Sequence, residues 1–557
     1  MKKLFLAAIG LLFYLVCFTQ IDPNALINWQ SHDPKSGAPG TGIDQVYSGV
    51  LKNKTPYQTI VAVIDGGVDV NHEDLKQNIW VNPKEIPGNG IDDDRNGYID
   101  DIYGWNFIGN KSGLNVYHDT YEGTRTVATL QAKYANVKPN LLTKENKAEY
   151  DQYISKKKAL DERRLGLENQ WAELMRTESI LLQIMHAVQK EMGGAPLNLK
   201  NLEKVDTNKN EFVNIGTKIL KQIIAEQPSL NSFDHLYQSI KTEYAAPRQE
   251  LEAKFLYQLD PTYDSRNAIV GDQYENYKEN QYGNNDVTGP DAFHGTHVSG
   301  IIAAVRGNGQ GMDGIANNSV KIMSLRVVPD GDERDKDIAN AIRYAVDNGA
   351  RVINMSFGKG ESPYKKAVDD AVLYAEKHDV LLVHAAGNEN SNNDQEDHFP
   401  KKNLDRKCLF CSKEVKNWLD VGALSFTEDA DMVASFSNYG KKSVDIFSPG
   451  VRIYSTVPNN RYEFADGTSM ASPVMAGVAA VIRSYFPTLS AKQVIQAILE
   501  NGNTSTKKVK KPGTDQEVLL SDLCATGSYV NAAKAILAAA KMKGTVKYNA
   551  IVAKPKA

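Results

Sequence analysis

Three side chains suited to nucleophilic catalysis occur along the chain in the order Asp, His, Ser. Asp65 follows the apolar run Ile60–Ile64 and precedes two glycines, His294 opens the segment HGTHVSG, and Ser469 lies within GTSMASP. A serine hydroxyl becomes a strong nucleophile when a histidine takes its proton and a carboxylate orients that histidine. Taken singly, the three residues also have ordinary interpretations: a turn residue, a core histidine and a helix cap.

A fourth motif, AAGNE at residues 385–389, follows the apolar run Val380–Val383. Asn388, on a glycine turn at a strand end, can direct its side-chain amide into a cleft. Ser469, where a loop enters a helix, can direct its own N–H to the same place, and such donors stabilise a developing oxyanion. Zinc at His294 and His297 is disfavoured, because the pattern lacks the Glu and the i, i+4 spacing of an HExxH helix.

A fifth motif, DDDRNGYIDD at residues 92–101, has the chemistry of a calcium loop. Asp92, Asp94 and Asn96 occupy positions 1, 3 and 5 of an EF-hand-type loop, and Asp100 occupies position 9. Position 12 is Tyr103, so the last ligand must come from another segment. We therefore predict a structural Ca²⁺ site here, with an acidic turn as the alternative.

Short apolar runs alternate with helical patterns on both sides of a different central segment. Runs of four or five apolar residues are typical of parallel strands that are buried on both faces. Their alternation with helices predicts an α/β fold, a parallel sheet flanked by helices. We assign residues 20–110 and 262–541 to this domain and residues 542–557 to a C-terminal tail.

Residues 111–261 are rich in Lys, Glu, Gln and Leu and carry almost no strand signal. Apolar residues recur there every seven positions, at Tyr153, Leu160, Leu167, Leu174, Leu181 and Val188. The spacing predicts a long amphipathic, coiled-coil-like helix over Glu145–Met192 that ends at the following glycine pair. We expect an inserted helical subdomain, either structural or in contact with a partner or a second copy.

Composition narrows the function classes. The 557 residues are 41% apolar and 24% charged with a net charge of −4, which excludes a multi-span membrane protein and gives no basic excess for binding nucleic acid. Lys2 and Lys3 followed by the apolar run Leu4–Phe18 predict a signal peptide at residues 1–19, hence an exported protein without a membrane span after cleavage. In an exported protein, Cys408 and Cys411 favour a local disulfide over a metal site.

Together the motifs around Asp65, His294, Asn388 and Ser469 resemble those of the subtilisin-like serine proteases (subtilases, peptidase family S8). A seven-residue string such as GTSMASP arises by chance about once in 10⁹ positions. The order Asp, His, Ser also separates subtilases from other hydrolases with the same triad. The interval from Asp65 to His294 is far longer than in compact subtilases, and the helical insertion fills it.

The resemblance implies a role for each matching residue. Asp65, His294 and Ser469 form the catalytic triad, and Asn388 completes the oxyanion hole. Ser356, Phe357 and Gly358 bind the substrate backbone, and Ala386 and Gly387 form the floor of the specificity pocket. The expected function is a serine endopeptidase acting on proteins or peptides, without a cofactor for catalysis. The alternatives are a catalytically silent binding protein of the same fold and an interaction protein that uses the insertion.

Overall fold

The apolar runs of the sequence form the strands of one large sheet. The computed structural model describes residues 23–226, 229–405 and 413–547. The predicted signal peptide, the predicted disulfide between Cys408 and Cys411 and most of the predicted C-terminal tail lie outside the described residues. None of the helices in the described ranges is both long and apolar enough to cross a membrane.

The described residues fall into two compact units. Residues 123–263 form a helical unit, and residues 23–122 with 264–547 form the sheet unit. The helical unit thus begins at residue 123, whereas the sequence pattern placed the start of the insertion at residue 111.

The strands of the sheet unit are β1 (Thr59–Asp65), β2 (Gly104–Asn106), β3 (Val320–Arg326), β4 (Ala350–Met355), β5 (Leu381–Ala385), β6 (Trp418–Leu424), β7 (Ile446–Pro449), β8 (Ile453–Val457), β9 (Arg461–Ala465), β10 (Asn503–Thr504), β11 (Val509–Lys510), β12 (Glu517–Val518) and β13 (Ser528–Tyr529). Nine of them join in the order β10-β13-β7-β6-β5-β4-β1-β3-β2. Neighbouring strands in this sheet run parallel, except for the edge pair of β10 and β13. This confirms the predicted α/β fold with a mostly parallel sheet.

The helices, in chain order, are α1 (Ile43–Ser48), α2 (Glu122–Tyr134), α3 (Lys144–Met192), α4 (Leu199–Leu202), α5 (Glu211–Glu226), α6 (Phe233–Ala253), α7 (Phe293–Ala303), α8 (Asp335–Asp347), α9 (Lys365–Lys377), α10 (Thr468–Tyr485), α11 (Ala491–Leu499) and α12 (Ala532–Ala539). Strand β1 shows how they cover the sheet. Its residues Val61 and Val63 belong to the apolar core shared with α7 and α10, whereas Ala62 and Ile64 belong to the core shared with α8 and α9. Successive side chains of a strand point to opposite faces, so helices cover both faces.

Strand order places several sequence motifs at one edge of the sheet. Strand β1 lies between β3 and β4, and β5 lies beyond β4. Because parallel strands end at the same edge, Asp65 at the end of β1 lies at the same edge as residues 356–358 after β4 and residues 386–388 after β5. Ligands of open α/β sheets bind at this edge.

The helical unit has an apolar core of its own. Helix α3 begins at Lys144, one residue before the predicted start, and ends at Met192. Gly193 ends it in the left-handed conformation at φ 57°, which glycine adopts without a steric penalty. Of the heptad positions, Tyr153, Leu160, Leu167 and Val188 are buried and Leu174 and Leu181 are half-buried.

Helices α5 and α6 pack on α3 and cover the C-terminal part of this seam. Gly216 of α5 lets the helices approach closely, since a Cβ there would lie 2.6 Å from Val188 Cγ2. Within the described residues, the heptad positions Leu174, Leu181 and Val188 therefore pack in the core of this unit.

Candidate active site

Asp65 is the last residue of β1 and is 2% exposed. Its Oδ1 accepts a hydrogen bond from the Gly66 N–H at 2.7 Å. His294 Nδ1 lies 2.8 Å from Oδ1 and 2.9 Å from Oδ2 of the same carboxylate. Because a carboxylate only accepts, Nδ1 carries the proton of the imidazole, and Nε2 keeps its lone pair.

His294 is held at this distance by the packing of α7, whose second residue it is. A Cβ on Gly295 would lie 2.1 Å from the Gly67 carbonyl oxygen, so the helix approaches the turn after β1 at a distance that only glycine allows. Burial disfavours the charged imidazole, but the Asp65 carboxylate outweighs this and raises the pKa of His294. The His294 side chain is 43% exposed, so Nε2, which does not contact Asp65, is accessible.

The neighbouring residues of the same types have other partners. His297 Nε2 lies 3.1 Å from the Glu463 carbonyl oxygen, and burial lowers the pKa of His297 to about 4. Asp69 accepts backbone hydrogen bonds from Asn71 and Asn459 at 3.1 Å each. These contacts make His297 and Asp69 structural, and they leave the exposed His294 with the buried Asp65 as the candidate pair.

Ser469 is the second residue of α10 and is half-buried. Its Oγ donates to the Ser356 carbonyl oxygen at 3.2 Å, and Ser356 Oγ donates back to the Ser469 carbonyl oxygen at 2.9 Å. Among the hydrogen bonds of the described residues there is none between Ser469 and His294. The structure therefore brings Asp65 and His294 into direct contact and ties Ser469 to the strand end beside them.

Asn388 lies on the turn after β5 and is oriented by Thr468. Its Oδ1 accepts from the Thr468 backbone N–H at 2.9 Å and from the Thr468 hydroxyl at 3.0 Å. The Gly387 N–H in turn donates to the Thr468 hydroxyl oxygen at 3.1 Å. Since Oδ1 is used in this way, the donor Nδ2 points to the other side, and the Asn388 side chain is fixed next to the residue that precedes Ser469.

The predicted substrate-binding residues lie on two adjacent strand ends. Ser356, Phe357 and Gly358 follow β4, and Ala386 and Gly387 follow β5. Of these five residues only Gly358 is not buried.

Sequence reasoning missed a buried histidine beneath the strand end after β4. His384 Nε2 lies 3.0 Å from the Phe357 carbonyl oxygen, and Nδ1 lies 2.9 Å from Asp420 Oδ1. The signal for it was one polar residue in the otherwise apolar strand LLVHA.

The acidic loop at residues 92–101 places three carboxylates together, and one of them was not predicted. One oxygen each from Glu85, Asp92 and Asp94 lies within 4.8 Å of the others. Glu85 Oε2 and Asp94 Oδ2 are buried and have no hydrogen-bond partner among the described residues. Lys84 Nζ lies 3.7 Å from Asp94 Oδ2, and its side chain is 65% exposed.

The other two predicted ligands, Asn96 and Asp100, accept hydrogen bonds from the loop backbone, as Asp92 does from the Asn96 and Gly97 N–H groups. The Asp100 carboxylate accepts backbone N–H groups of Gly88 and Asn89 on Oδ1 and that of Gly90 on Oδ2, at 2.8–3.2 Å. Asn96 Oδ1 accepts from the Tyr98 N–H, and its Nδ2 donates to Asp101. Glu85, Asp92 and Asp94 are the carboxylates that the structure brings within 4.8 Å of one another, and the hydrogen bonds of Asn96 and Asp100 hold the surrounding loop.

A parallel sheet covered by helices on both faces, with polar side chains gathered at its carboxyl edge, defines an α/β fold of the doubly wound type. The chain belongs to the Subtilase family (Peptidase_S8), whose sequence model matches residues 57–518. The resemblance drawn from the motifs is thereby confirmed.

Relatives of this chain include several proteases. It is 41% identical over 192 residues to "Thermophilic serine proteinase" of Bacillus sp. (strain AK1), covering 34% of this chain and 42% of the relative. It is 40% identical over 205 residues to "Subtilisin DY" of Bacillus licheniformis, covering 36% and 67% respectively. Among solved structures it is similar to "Prenylagaramide maturation protease PagA", with a TM-score of 0.35 and 27% identity over 44% of this chain and 82% of the other. The matched segment thus spans less than half the length of the first relative.

Proposed function

We propose that the protein is a serine endopeptidase that hydrolyses peptide bonds through an acyl-enzyme intermediate. The observation that carries the proposal is the exposed His294 held by the buried Asp65 carboxylate at 2.8 Å. Membership of the Subtilase family supports the same reaction.

In the proposed mechanism Ser469 Oγ attacks the scissile carbonyl carbon while His294 Nε2 takes the hydroxyl proton. The imidazolium is stabilised by Asp65, and it then donates the proton to the leaving amine as the C–N bond breaks. A water molecule, deprotonated by the same imidazole, hydrolyses the resulting ester and restores the serine. The serine proton leaves with the amine, and the imidazole passes the proton taken from water to Ser469 Oγ as the ester C–O bond breaks, so the enzyme ends in its starting state.

The tetrahedral oxyanion of both steps needs donors that are already in place. Asn388 Nδ2 and the Ser469 N–H at the start of α10 are the donors that we assign to it. The two bonds from Thr468 to Asn388 Oδ1 support this, because they fix the amide before substrate arrives.

The serine must change partner before it can react. Its Oγ donates to the Ser356 carbonyl oxygen at 3.2 Å, and a rotation about its Cα–Cβ bond is needed to direct the proton to His294. Catalytic hydrogen bonds are often long in free enzymes and tighten when substrate binds. We propose that substrate pairing along residues 356–358 triggers this change.

The direct test is labelling with a fluorophosphonate probe, which reacts with an activated serine. We expect wild-type protein to be labelled at Ser469 and the Ser469→Ala variant to remain unlabelled with an unchanged melting temperature. Ser112→Ala, which removes an exposed loop hydroxyl, is the matched control and should be labelled like wild type. Folded wild-type protein that stays unlabelled would support the silent binding protein, or an interaction protein acting through residues 111–261, instead.

For the acidic loop we propose a structural Ca²⁺ site formed by Glu85, Asp92 and Asp94. Calcium binds oxygen ligands at 2.3–2.6 Å, so ligand oxygens around one ion lie within about 5 Å of each other, as these three do. The two buried oxygens without a hydrogen-bond partner support the same assignment. Burial, and to a lesser extent the neighbouring Asp94 carboxylate, raises the pKa of Glu85.

A bound ion stabilises only the folded state, so the melting temperature should rise with Ca²⁺ concentration. At a free concentration of 100 Kd the gain is about 2.7 kcal/mol. Glu85→Gln should remove the response to Ca²⁺. Asp100→Asn should lower the melting temperature by breaking the loop contacts but keep the response. If Asp100→Asn loses the response to Ca²⁺ and Glu85→Gln keeps it, Asp100 is the ligand. If the melting temperature of the wild-type protein changes with neither Ca²⁺ nor EGTA, there is no calcium site.

We also propose that the protein is exported, on the basis of Lys2, Lys3 and the apolar run Leu4–Phe18. Expression of the full chain in a bacterial host and sequencing of the mature N-terminus tests this. A mature protein that begins near residue 20 outside the cytoplasm is the expected result, and an intact cytoplasmic chain is the contrary one.

A further inference from the structure

The imidazole of His398 lies between the two segments assigned to substrate binding. A Cβ on Gly358 would lie 2.3 Å from His398 Nε2, and a Cβ on Gly387 would lie 2.9 Å from His398 Cε1. The ring therefore fills the space between the strand ends after β4 and β5, against the backbone of both glycines. Neither glycine could be replaced by a larger residue without moving this ring.

The backbone around His398 holds it in this position. Phe399, the next residue, exchanges two hydrogen bonds with Lys359: its carbonyl oxygen accepts at 3.0 Å and its N–H donates at 2.8 Å. Segment 398–400 is therefore paired with the chain that directly follows Gly358. His384 backs the ring with a centroid distance of 5.4 Å, and His384 is itself fixed by Asp420 and the Phe357 carbonyl.

The chemistry of His398 is that of a neutral acceptor. Burial and the neighbouring His384 lower the pKa of His398 to about 4, so the ring is uncharged at neutral pH. A bond to the Ala385 carbonyl engages one ring nitrogen. Nε2 is buried and has no partner among the described residues, so the proton lies on Nδ1 and Nε2 carries the lone pair.

The space on the Gly387 side is narrow as well. A Cβ there would lie 2.6 Å from Glu389 Oε2 and 2.3 Å from Asn438 Nδ2. Asn438 Nδ2 donates a hydrogen bond to Glu389 Oε2 at 2.7 Å, so the two side chains line this side together. Between these two side chains and the His398 ring little room remains for a long side chain.

We propose that His398 determines specificity for the substrate residue on the amino side of the scissile bond (P1), restricting it to small side chains such as Ala and Ser. The inference rests on the proposed endopeptidase function. A P1 side chain must enter between the segments of Gly358 and Gly387, and the imidazole occupies the inner part of that space. A small P1 residue, such as Ala or Ser, stops short of the ring.

The test is a series of tetrapeptide anilides that differ only in P1, namely Ala, Ser, Leu and Phe. A pocket discriminates by about 10- to 200-fold for each methylene that it cannot accommodate. We expect wild-type kcat/KM to be at least about tenfold higher for Ala and Ser than for Phe. His398→Ala should raise the Phe-to-Ala ratio by about tenfold or more, because it opens the pocket.

Two further variants distinguish an effect of side-chain volume in the pocket from a general loss of activity on substitution. His398→Gln keeps most of the volume and should keep the preference for small residues. His378→Ala, at an exposed histidine just after α9, is the matched control and should leave all four ratios unchanged. Wild-type protein that prefers Phe or Leu overturns the proposal even if His398→Ala does not fold.

The test also separates this inference from the proposed function. Fluorophosphonate labelling of Ser469 with a P1 profile that is flat, or that His398→Ala leaves unchanged, overturns the role of His398 alone. Folded wild-type protein that is neither labelled nor active on any of the four anilides overturns the endopeptidase proposal, and with it the specificity argument.

Discussion

Gly295 offers a direct way to test whether helix packing sets the position of His294. The residue follows His294 in α7, and the helix there touches the turn after β1. Replacing it with alanine would put a Cβ 2.1 Å from the Gly67 carbonyl oxygen and 3.2 Å from Asp65 Cβ. Both neighbours belong to buried, well-packed chain, so neither can yield as the end of a flexible side chain would.

The size of the effect follows from that distance. Real Cβ atoms essentially never approach closer than 3.0 Å, so the start of α7 and the turn must separate by about 0.9 Å. Overpacking of this kind costs about 1–3 kcal/mol of stability. A displacement of about 1 Å in a catalytic group can lower the rate about 10²-fold, equivalent to about 2.7 kcal/mol in the barrier. We expect a folded Gly295→Ala variant with kcat/KM reduced about 100-fold.

The assay is hydrolysis of an alanine-P1 tetrapeptide anilide, normalised to the folded fraction from a melting curve. Gly166→Ala is the matched control: Gly166 also lies inside a helix, and a Cβ there would meet nothing within 4 Å. It should keep full activity and gain about 0.5–1 kcal/mol of stability from the better helix former. A folded Gly295→Ala variant within threefold of wild-type kcat/KM would refute the link between this packing and His294.

Three further substitutions test the site and the helical unit. Asp65→Asn should move the acid limb of the kcat/KM pH profile to lower pH. His294 must be neutral to act as a base, and the Asp65 carboxylate raises the pKa of His294 against the effect of burial. An acid limb that stays in place or moves to higher pH contradicts this. Gly216→Ala should destabilise the protein by about 1–3 kcal/mol despite the gain in helix propensity, since its Cβ would lie 2.6 Å from Val188 Cγ2. Met185→Ala should cost about 2–5 kcal/mol because Met185 is fully buried, and urea melts that match wild type would contradict either value.

The parts of the site that the sequence predicted are those in which local chemistry and fold position coincide. Asp65 ends an apolar run that is typical of a buried strand, and Ser469 begins a run of small residues that is typical of a tightly packed helix. Parallel strands end at one edge, so the pattern alone implied that Asp65 and Asn388 would lie on the same side of the sheet. The heptad spacing likewise predicted α3 to within one residue at its start.

What the sequence could not predict depends on contacts between distant segments. Glu85 lies outside the acidic motif and meets Asp94 only through the folding of the loop. Asp100 has the residue type of a ligand, but the turn at residues 88–90 uses both of its oxygens. His398 gave no signal, because its position between Gly358 and Gly387 arises from backbone pairing with Lys359 and not from any local pattern.

The long insertion between Asp65 and His294 must be compatible with the precise geometry of this pair. The two residues are 229 positions apart and yet lie 2.8 Å from each other. Closing a flexible loop of that length costs conformational entropy, and this cost grows only slowly with length. Leaving the apolar residues of the α3 seam in water would cost further free energy. In residues 123–263 helices of the same unit cover the C-terminal part of the seam, around residues such as Met185 and Leu220. An insertion with an apolar core of its own lengthens the interval by folded chain, which adds less closure entropy than a flexible loop of the same length. An interval of this size is thereby compatible with an Asp–His pair whose geometry must hold to a fraction of an ångström.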